Sequence, residues 1–281
     1  MLKNALYIVP TPIGNLDDIT LRAIEVLKGV TLIAAEDTRH SKILLDHLGI
    51  GGKRVISCYD QVEEQKAQLI IEEVRNNGSV ALISDAGSPL INDPGYRVVT
   101  LCAQQGVEVI PLPGPCALIT ALEAAALPTD RFMFKGFFPV KQKELEDTLE
   151  ELAAADYTCV FYETPRRIAK TMETVAKILP RHQVAVCREL TKTFESIYRM
   201  DSEQMADFIG ADADRQKGEF VVVIGALPQQ ETAIPKNVVD ALCELIKTTP
   251  VKTAAAILAQ VTGLRRNDLY QYALRLKNKA E

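Results

Sequence analysis

The sequence has little of what many enzyme sites are built from. It contains no tryptophan, only three histidines, and six cysteines in 281 residues. The cysteines are widely spaced, with no C-x-x-C pair and no histidine at ligand spacing, which argues against a zinc site and a disulfide framework. We expect them to be small buried side chains in a reducing compartment. Only His40, which follows the letters EDTR, is retained as a candidate site histidine.

Long hydrophobic runs are also missing. No segment approaches the roughly 18 uninterrupted apolar residues of a membrane-spanning helix. The apolar run near the N-terminus, 5–9, is too short for the core of a signal peptide. We therefore expect a soluble cytoplasmic protein with no membrane partner.

The common nucleotide and hydrolase motifs are absent. The chain has no G-x-G-x-x-G, no G-x-x-x-x-G-K-[ST] and no G-x-S-x-G. A conventional dinucleotide enzyme, a P-loop nucleotidase and an α/β-hydrolase are therefore disfavoured.

What is present is an ordinary globular composition with an uneven charge. Hydrophobic residues make up 47% and charged residues 25%, and the formal net charge is −5. This excludes a disordered tail protein and argues against a surface that is basic all over. Segment 235–281 nevertheless carries eight lysine and arginine residues against four acidic ones. A small basic module on an acidic body and ordinary scatter of surface charge both explain this asymmetry.

Short apolar runs alternate with amphipathic stretches along the chain, which predicts an α/β fold with a largely parallel sheet. Two series of strands are expected, at 5–9, 31–35, 54–57, 79–84 and 107–110, and then at 132–138, 157–163, 183–190, 195–200 and 219–226. We place domains at 1–117, 118–230 and 235–281.

Several helix ends are predicted from capping signals. A helix over 61–77 is expected to end at Gly78, Asp93-Pro94 to begin a second helix, and Thr164-Pro165 to begin a third. The last domain is predicted to be three helices with Gly263 between the final two, as in a helix-turn-helix or any other αα-hairpin.

Three loops rich in glycine and proline follow predicted strands. We call 10–15 the first loop, 84–95 the second loop and 111–117 the third loop. Ligands of open α/β sheets bind where strands end, so three such loops at one edge predict a ligand cleft.

Four polar groups lie beside the strands, at 36–41, 163–167, 188–192 and 217–220. Each combines acidic with basic side chains, which fits either surface ion pairs or a cleft whose cations hold phosphates.

Six motifs together carry a family resemblance. VPTPIGNLDDIT, AAEDTRHS, SDAGSPLINDPGY, PLPGPCA, RELTK and KGEFVVVI occur in this order over about 5–226. The chain resembles the tetrapyrrole-methylase-type (class III) S-adenosylmethionine-dependent methyltransferases, and among them the members that act on small-subunit ribosomal RNA. The resemblance implies two α/β domains with the methyl donor between them, a small C-terminal helical module, and a homodimer. It also implies 2'-O-methylation of cytidine 1402 of 16S rRNA in the small ribosomal subunit.

The resemblance also implies site residues. The donor pocket is expected to contain Pro12, Gly14, Asp85, Gly87, Ser88, Ile91, Cys116, Ala117, Tyr162, Leu190 and Gly218, with Cys116 standing where serine is common. The RNA is expected to contact Arg39, Arg166, Arg188, Lys192, Arg265 and Arg266. No metal is expected, because the donor carries its own activation.

A 2'-hydroxyl also needs a general base. Glu36, Asp37, Glu163 and Glu189 are candidates by position, with Asp37 or Glu189 expected nearest the hydroxyl.

Two other functions stay open at this point. One is a methyltransferase of the same fold that acts on a small macrocycle or a modified protein side chain. The other is a non-catalytic RNA-binding factor, which would have no affinity for the donor.

Overall fold

The computed structural model describes residues 2–59, 62–227, 234–264 and 266–278. The chain divides into two compact units, 1–226 and 227–281. Within the described ranges, none of the helices combines the length and the apolar character that crossing a bilayer requires.

The first five strands form one sheet. They are β1 (Leu6–Ile8), β2 (Leu32–Ala35), β3 (Arg54–Ser57), β4 (Val80–Ile83) and β5 (Val109–Pro111). Their order is β3-β2-β4-β1-β5 and each adjacent pair is parallel. Each strand overlaps one run of the first predicted series, so the parallel α/β prediction is confirmed for this part of the chain.

Helices cover both faces of this sheet. They are α1 (Leu21–Gly29), α2 (Thr38–His47), α3 (Glu63–Arg75) and α4 (Tyr96–Gln104). In β2, Ile33 and Ala35 face α1 and α2, whereas Leu32 and Ala34 face α3 and α4. Because both faces are buried, the strand is an uninterrupted apolar run.

Helix α4 begins later than the sequence predicts. Asp93 is not its N-cap; the residue before the helix is Gly95, with φ 125°. The buried carboxylate of Glu63 accepts the backbone N–H groups of Gly95 (2.9 Å) and Arg97 (2.8 Å). A side chain from α3 therefore satisfies the helix end that the local sequence was expected to cap.

The end of α3 also differs from the prediction. The left-handed residue after the helix is Asn77, at φ 62°, and not Gly78. Asparagine adopts this conformation more readily than most residues. Gly78 meets a different need, because a Cβ there would lie 2.6 Å from the backbone oxygen of Glu73.

Helix α5 (Ala117–Ala125) leads from the first sheet to the second. The second sheet contains β6 (Phe132–Phe137), β7 (Thr158–Glu163), β8 (Gln183–Arg188), β9 (Ser196–Asp201) and β10 (Phe220–Ile224). Its order is β6-β7-β10-β8-β9, and β6–β7 is its one parallel pair among the described strands. The strand positions are as predicted, but this sheet is mainly antiparallel, because β8 and β9 are joined without a helix and β10 runs opposite to both β7 and β8.

The second sheet is also covered on both faces. Its outer helices are α6 (Gln142–Ala153), α7 (Ile168–Ile178) and α8 (Ser202–Gly210), and α5 packs on the opposite face. Helix α7 begins after a turn at 165–167, later than the predicted start at Thr164-Pro165. The backbone oxygen of Thr164 accepts the N–H of Ile168 at 3.1 Å, which closes that turn.

The cysteines behave as expected at four positions. Cys58, Cys102, Cys159 and Cys187 are buried, whereas Cys116 and Cys243 are only partly buried, contrary to the expectation. Burial raises the pKa of the Cys58 thiol to about 12 and that of Cys102 to about 11. These thiols are therefore protonated and unreactive at neutral pH.

The second unit contains the three predicted helices, α9 (Lys236–Thr248), α10 (Val251–Thr262) and α11 (Arg266–Asn278). Gly263, at φ 72°, ends α10. Leu242, Ala254, Leu258 and Leu269 form a core of small and branched side chains between the helices.

Candidate active site

The three loops meet at one edge of the first sheet, as the sequence predicts. They follow β1, β4 and β5, and β1 lies between the other two strands. Thr11 and Gly87 exchange two backbone hydrogen bonds of 2.9 Å, which join the first loop to the second. The Ser88 hydroxyl donates to the backbone oxygen of Pro115 at 3.0 Å, which joins the second loop to the third.

The second sheet approaches the same place. A Cβ at Gly14 would lie 2.4 Å from Cγ of Lys192 and 3.0 Å from the backbone oxygen of Leu190. The N–H of Asn15 donates to Oγ1 of Thr191 at 3.1 Å. The first loop is thus in contact with the segment that follows β8, and only glycine fits at the point of closest approach.

These elements enclose a cavity of about 570 Å³, within the range of small-molecule sites. Its wall includes the N-terminal end of α5, where Cys116 has an extended backbone and makes no capping hydrogen bond through its side chain. The lining residues are Ile13, Ala86, Gly87, Ser88, Ile91, Asn92, Asp93, Cys116, Ala117, Phe137, Tyr162, Glu163, Thr164, Pro165, Cys187, Leu190, Lys192, Gly218, Glu219, Phe220 and Val221.

Most residues predicted for the donor pocket are brought together here. The cavity is lined by Gly87, Ser88, Ile91, Cys116, Ala117, Tyr162, Leu190 and Gly218. Pro12 and Gly14 flank the lining residue Ile13 without lining the cavity themselves. Asp85 lies beside the lining residue Ala86.

Asp85 belongs to a polar cluster at the end of β2 and β4. One carboxylate oxygen accepts the N–H of Asp37 at 3.0 Å, and the other is 3.0 Å from Nδ1 of His40. The backbone N–H of Asp85 donates to Glu36 at 3.2 Å. The hydrogen bond with Asp85 raises the pKa of His40, so this histidine carries more positive charge near neutral pH than a free one.

Asp37, one of the two predicted bases, lies at the N-terminus of α2 and outside the cavity lining. Its carboxylate accepts the backbone N–H of Arg39 at 2.8 Å and a bidentate contact from the Arg39 guanidinium. These hydrogen bonds hold the pKa of Asp37 down at about 2. A carboxylate so firmly ionised is a weak proton acceptor.

Glu189, the other predicted base, holds the segment after β8 in place. Its Oε1 accepts the N–H of Glu219 and the ammonium of Lys192, each at 2.9 Å. Burial opposes ionisation, but these two hydrogen bonds outweigh it and lower the pKa of Glu189. The backbone of Glu189 has φ 50°, a strained conformation that these contacts maintain.

The predicted RNA-contacting cations are dispersed. The side chain of Arg39 is 89% exposed, and Arg166 is also exposed. Arg188 donates to backbone oxygens at Lys217 and Phe194 and so supports the fold of that region.

The remaining predicted cations differ in environment. Lys192 lines the cavity and pairs with Glu189 and Glu219. Arg266 is exposed on α11, and Arg265 lies outside the described residues.

Sequence reasoning missed several cavity residues, among them Asp93, Phe137 and Glu219. Asp93 was assigned to a helix cap, and Phe137 belongs to a strand, β6, that was not associated with the cleft. Glu219 follows Gly218 in a motif of which only the glycine was selected. The signal for Asp93 was its place in the second loop, which the cap interpretation obscured.

No group of three or more histidine, cysteine, aspartate or glutamate side chains in the described part of the chain is arranged to hold a metal ion.

Two family models match the chain. The model described as Tetrapyrrole (Corrin/Porphyrin) Methylases matches residues 5–206. The model described as RsmI C-terminal HTH domain matches residues 232–277.

Solved structures share the fold at low sequence identity. The methyltransferase CobJ has a TM-score of 0.60 and 19% identity, covering 79% of this chain and 94% of its own. Diphthine synthase has a TM-score of 0.60 and 13% identity, covering 78% of this chain and 89% of its own. Uroporphyrin-III C-methyl transferase from Thermus thermophilus, solved with S-adenyl homocysteine, has a TM-score of 0.53 and 17% identity, covering 79% and 97%.

Curated relatives are far more similar in sequence and match over nearly the full length. The protein named ribosomal RNA small subunit methyltransferase I from Escherichia coli O157:H7 is 46% identical over 97% of this chain and 95% of its own. The protein of the same name from Vibrio cholerae serotype O1 is 47% identical over 96% and 94%. The chain therefore belongs to the tetrapyrrole methylase family, and within it to the group named ribosomal RNA small subunit methyltransferase I.

Proposed function

We propose that the chain methylates the 2'-oxygen of cytidine 1402 in the 16S rRNA of the small ribosomal subunit. The observation that carries this proposal is the near full-length similarity to proteins named ribosomal RNA small subunit methyltransferase I, including the C-terminal module. S-adenosylmethionine is the methyl donor of the family. The ribosomal substrate implies that the protein acts in the cytoplasm, and we propose that it does so as a homodimer.

The cavity fits the donor in size and in charge. S-adenosylmethionine carries a sulfonium and an ammonium group beside its carboxylate, and the cavity presents the carboxylate of Glu219, with Asp85 nearby. Gly87, at φ 80°, and Gly218, at φ 94°, both line the cavity. Because glycine has no side chain, a ligand can approach the backbone at these two points. We propose that Pro12, Gly14, Asp85, Gly87, Ser88, Ile91, Cys116, Ala117, Tyr162, Leu190 and Gly218 hold the donor.

The donor supplies an electrophilic methyl group when it is bound, so this chain has to align the nucleophile and accept its proton. Alignment requires a grip on the RNA backbone. Arg39, in the first turn of α2, and Arg166, in the turn before α7, are exposed cations, and we propose that they contact phosphates. Lys192 is held at the cavity wall by two carboxylates, and we propose that it contacts the target nucleotide.

The second unit is proposed to add RNA affinity. Deleting 235–281 removes eight lysine and arginine residues and is expected to weaken binding to small subunits at least about tenfold. The slope of log affinity against log salt should flatten by about one for each phosphate that the shortened protein no longer binds. Donor affinity, measured by calorimetry, should stay within about twofold because the cavity belongs to the first unit. Equal losses of RNA and donor affinity would reject this role.

The proposed function is tested by transferring labelled methyl from S-adenosylmethionine to small subunits from a strain that lacks this gene. Naked rRNA serves as the parallel substrate, and the product is mapped by nuclease digestion and mass spectrometry. Label on the ribose of cytidine 1402 in subunits is the expected result. Donor binding without label on either RNA would favour a methyltransferase that acts on a small molecule, and absence of donor binding would favour a non-catalytic factor.

A further inference from the structure

The cavity itself narrows the search for the base. Among the described residues, three carboxylate side chains belong to its lining, those of Asp93, Glu163 and Glu219. Asp37 and Glu189, the bases expected from sequence, are not in this set.

Both carboxylate oxygens of Glu163 are occupied by contacts within the fold. Its side chain is 0% exposed, and one oxygen is 2.7 Å from the Arg167 guanidinium. The same oxygen accepts the N–H of Thr164 at 2.7 Å, and the other accepts the Thr171 hydroxyl at 2.7 Å. A proton transferred to this carboxylate would disrupt a buried ion pair.

Glu219 forms an ion pair with Lys192 and is exposed to solvent. Its side chain is 80% exposed, and its Oε2 is 2.9 Å from the Lys192 ammonium. Its carboxylate is therefore paired with a cation and open to water, and it lacks the enclosure that tunes a base.

Asp93 has the environment that the other two lack. It is partly buried, and burial is the main reason that its pKa rises to about 6. The Ser84 hydroxyl opposes this rise, whereas the negative charges of Glu36 and Asp85 add to it. Tyr162 lines the same cavity; burial raises the pKa of its phenol, and the charge of Asp93 adds to that rise. A carboxylate that titrates just below neutral pH is ionised at pH 7 and still basic enough to accept a proton.

The segment that bears Asp93 is also firmly positioned. Asp93 itself is hydrogen-bonded to the Ser84 side chain, and Gly95, two residues further on, donates its N–H to the buried Glu63 carboxylate at 2.9 Å. Positioning of this kind lowers the cost of bringing a base to its substrate.

We propose that Asp93 is the general base that takes the proton from the target 2'-hydroxyl, which rests on the proposed function. The ribose oxygen forms a bond to the methyl carbon as the carbon–sulfur bond breaks. The bonding pair stays on sulfur, giving the neutral thioether S-adenosylhomocysteine. The hydroxyl proton passes to the Asp93 carboxylate and then to water.

The test compares Asp93→Asn with the wild type in single-turnover methylation of small subunits at saturating donor. We expect the rate at pH 7 to fall at least about 100-fold, while calorimetric donor affinity changes less than about threefold. The wild-type rate should rise with pH through about 6 and then level, because the ionised carboxylate is the active form. Asp93→Asn should lose this inflection, and Asp93→Glu should restore part of the rate.

Control variants test whether another titratable group causes the inflection in the pH–rate profile. Glu219→Gln and Asp37→Asn should retain it, whatever their effect on the rate. His40→Gln should retain it as well; this control is needed because the contact with Asp85 raises the pKa of His40. In the protein alone, carbon-13 NMR should show the Asp93 carboxyl titrating near pH 6.

The outcomes separate this proposal from the proposed function. Wild-type protein that places no methyl on small subunits would overturn both. Wild-type transfer with an unchanged Asp93→Asn rate would overturn the base alone. A donor affinity more than about tenfold weaker with an unchanged rate at saturation would also overturn it, because Asp93 would then bind the donor's ammonium group.

Discussion

Replacing Arg167 by alanine is expected to lower the free energy of unfolding by about 3–5 kcal/mol. The reason is that Arg167 neutralises Glu163, whose side chain is fully buried, at 2.7 Å. Without the guanidinium, the carboxylate would remain buried with only neutral hydrogen-bond donors. Arg167 also donates to the backbone oxygens of Phe138 and Pro139, which fix the turn after β6. Denaturant unfolding followed by circular dichroism measures the loss.

Arg166 provides a matched control for this change. It is the preceding residue in the same turn, of the same chemical type, but it is exposed. Arg166→Ala should change the unfolding free energy by less than about 0.5 kcal/mol. Equal effects of the two replacements would mean that the buried pair with Glu163 does not stabilise the fold.

Replacing Gly218 by alanine is the second change expected to have a large effect. Gly218 stands at φ 94°, and a Cβ there would lie 2.4 Å from Cγ of Glu189. The methyl group would displace Glu189, which holds Lys192 and the N–H of Glu219 at the cavity wall. We expect a loss of about 1–3 kcal/mol in unfolding free energy from backbone strain. We also expect donor affinity to weaken at least about tenfold, roughly 1.4 kcal/mol, as the wall shifts.

Gly263→Ala separates the two causes. Gly263 has a similar backbone, φ 72°, but a Cβ there would meet nothing within 4 Å. It should show the strain of the left-handed conformation, about 1–2 kcal/mol, with unchanged donor affinity. If Gly218→Ala left calorimetric donor binding as unaffected as Gly263→Ala does, the segment 217–220 would not shape the donor site.

The fold was largely predictable because apolar runs mark its strands. All ten strands of the described residues overlap the predicted runs, since each run is short and bounded by glycine, proline or polar residues. Whether neighbouring strands run parallel or antiparallel was harder to predict than where the strands lie. β10 lies antiparallel between β7 and β8, a pairing set by long-range contacts that no local pattern of Phe220–Ile224 encodes.

The site was predictable in its loops but not in its acid–base chemistry. The glycines and prolines of the three loops are local signals, and the loops do meet. Asp37 and Glu189 also stood out locally, beside cations. The structure shows that hydrogen bonds hold their pKa values low, from Arg39 to Asp37 and from the Glu219 N–H and Lys192 to Glu189.

Asp93 shows the opposite case. Its local sequence, Asp-Pro, is typical of a helix start, whereas its raised pKa comes first from burial and then from the charges of Glu36, after β2, and of Asp85, at the start of the same loop. The property that singles it out therefore arises only from tertiary structure.

Helix α5 ties the cavity wall to the packing of the second sheet. Its first residue lines the cavity, while Ala121 and Ala125, one and two turns further on, are buried against the strands. These small side chains let the helix lie close to the sheet. A larger residue at either position would push the whole of α5 away from the second sheet. The displacement would reach the ligand wall about 6 to 12 Å away, at 1.5 Å per residue. Saturation mutagenesis of α5 would then show weakened donor binding for larger residues at Ala121 and Ala125, although neither residue lines the cavity.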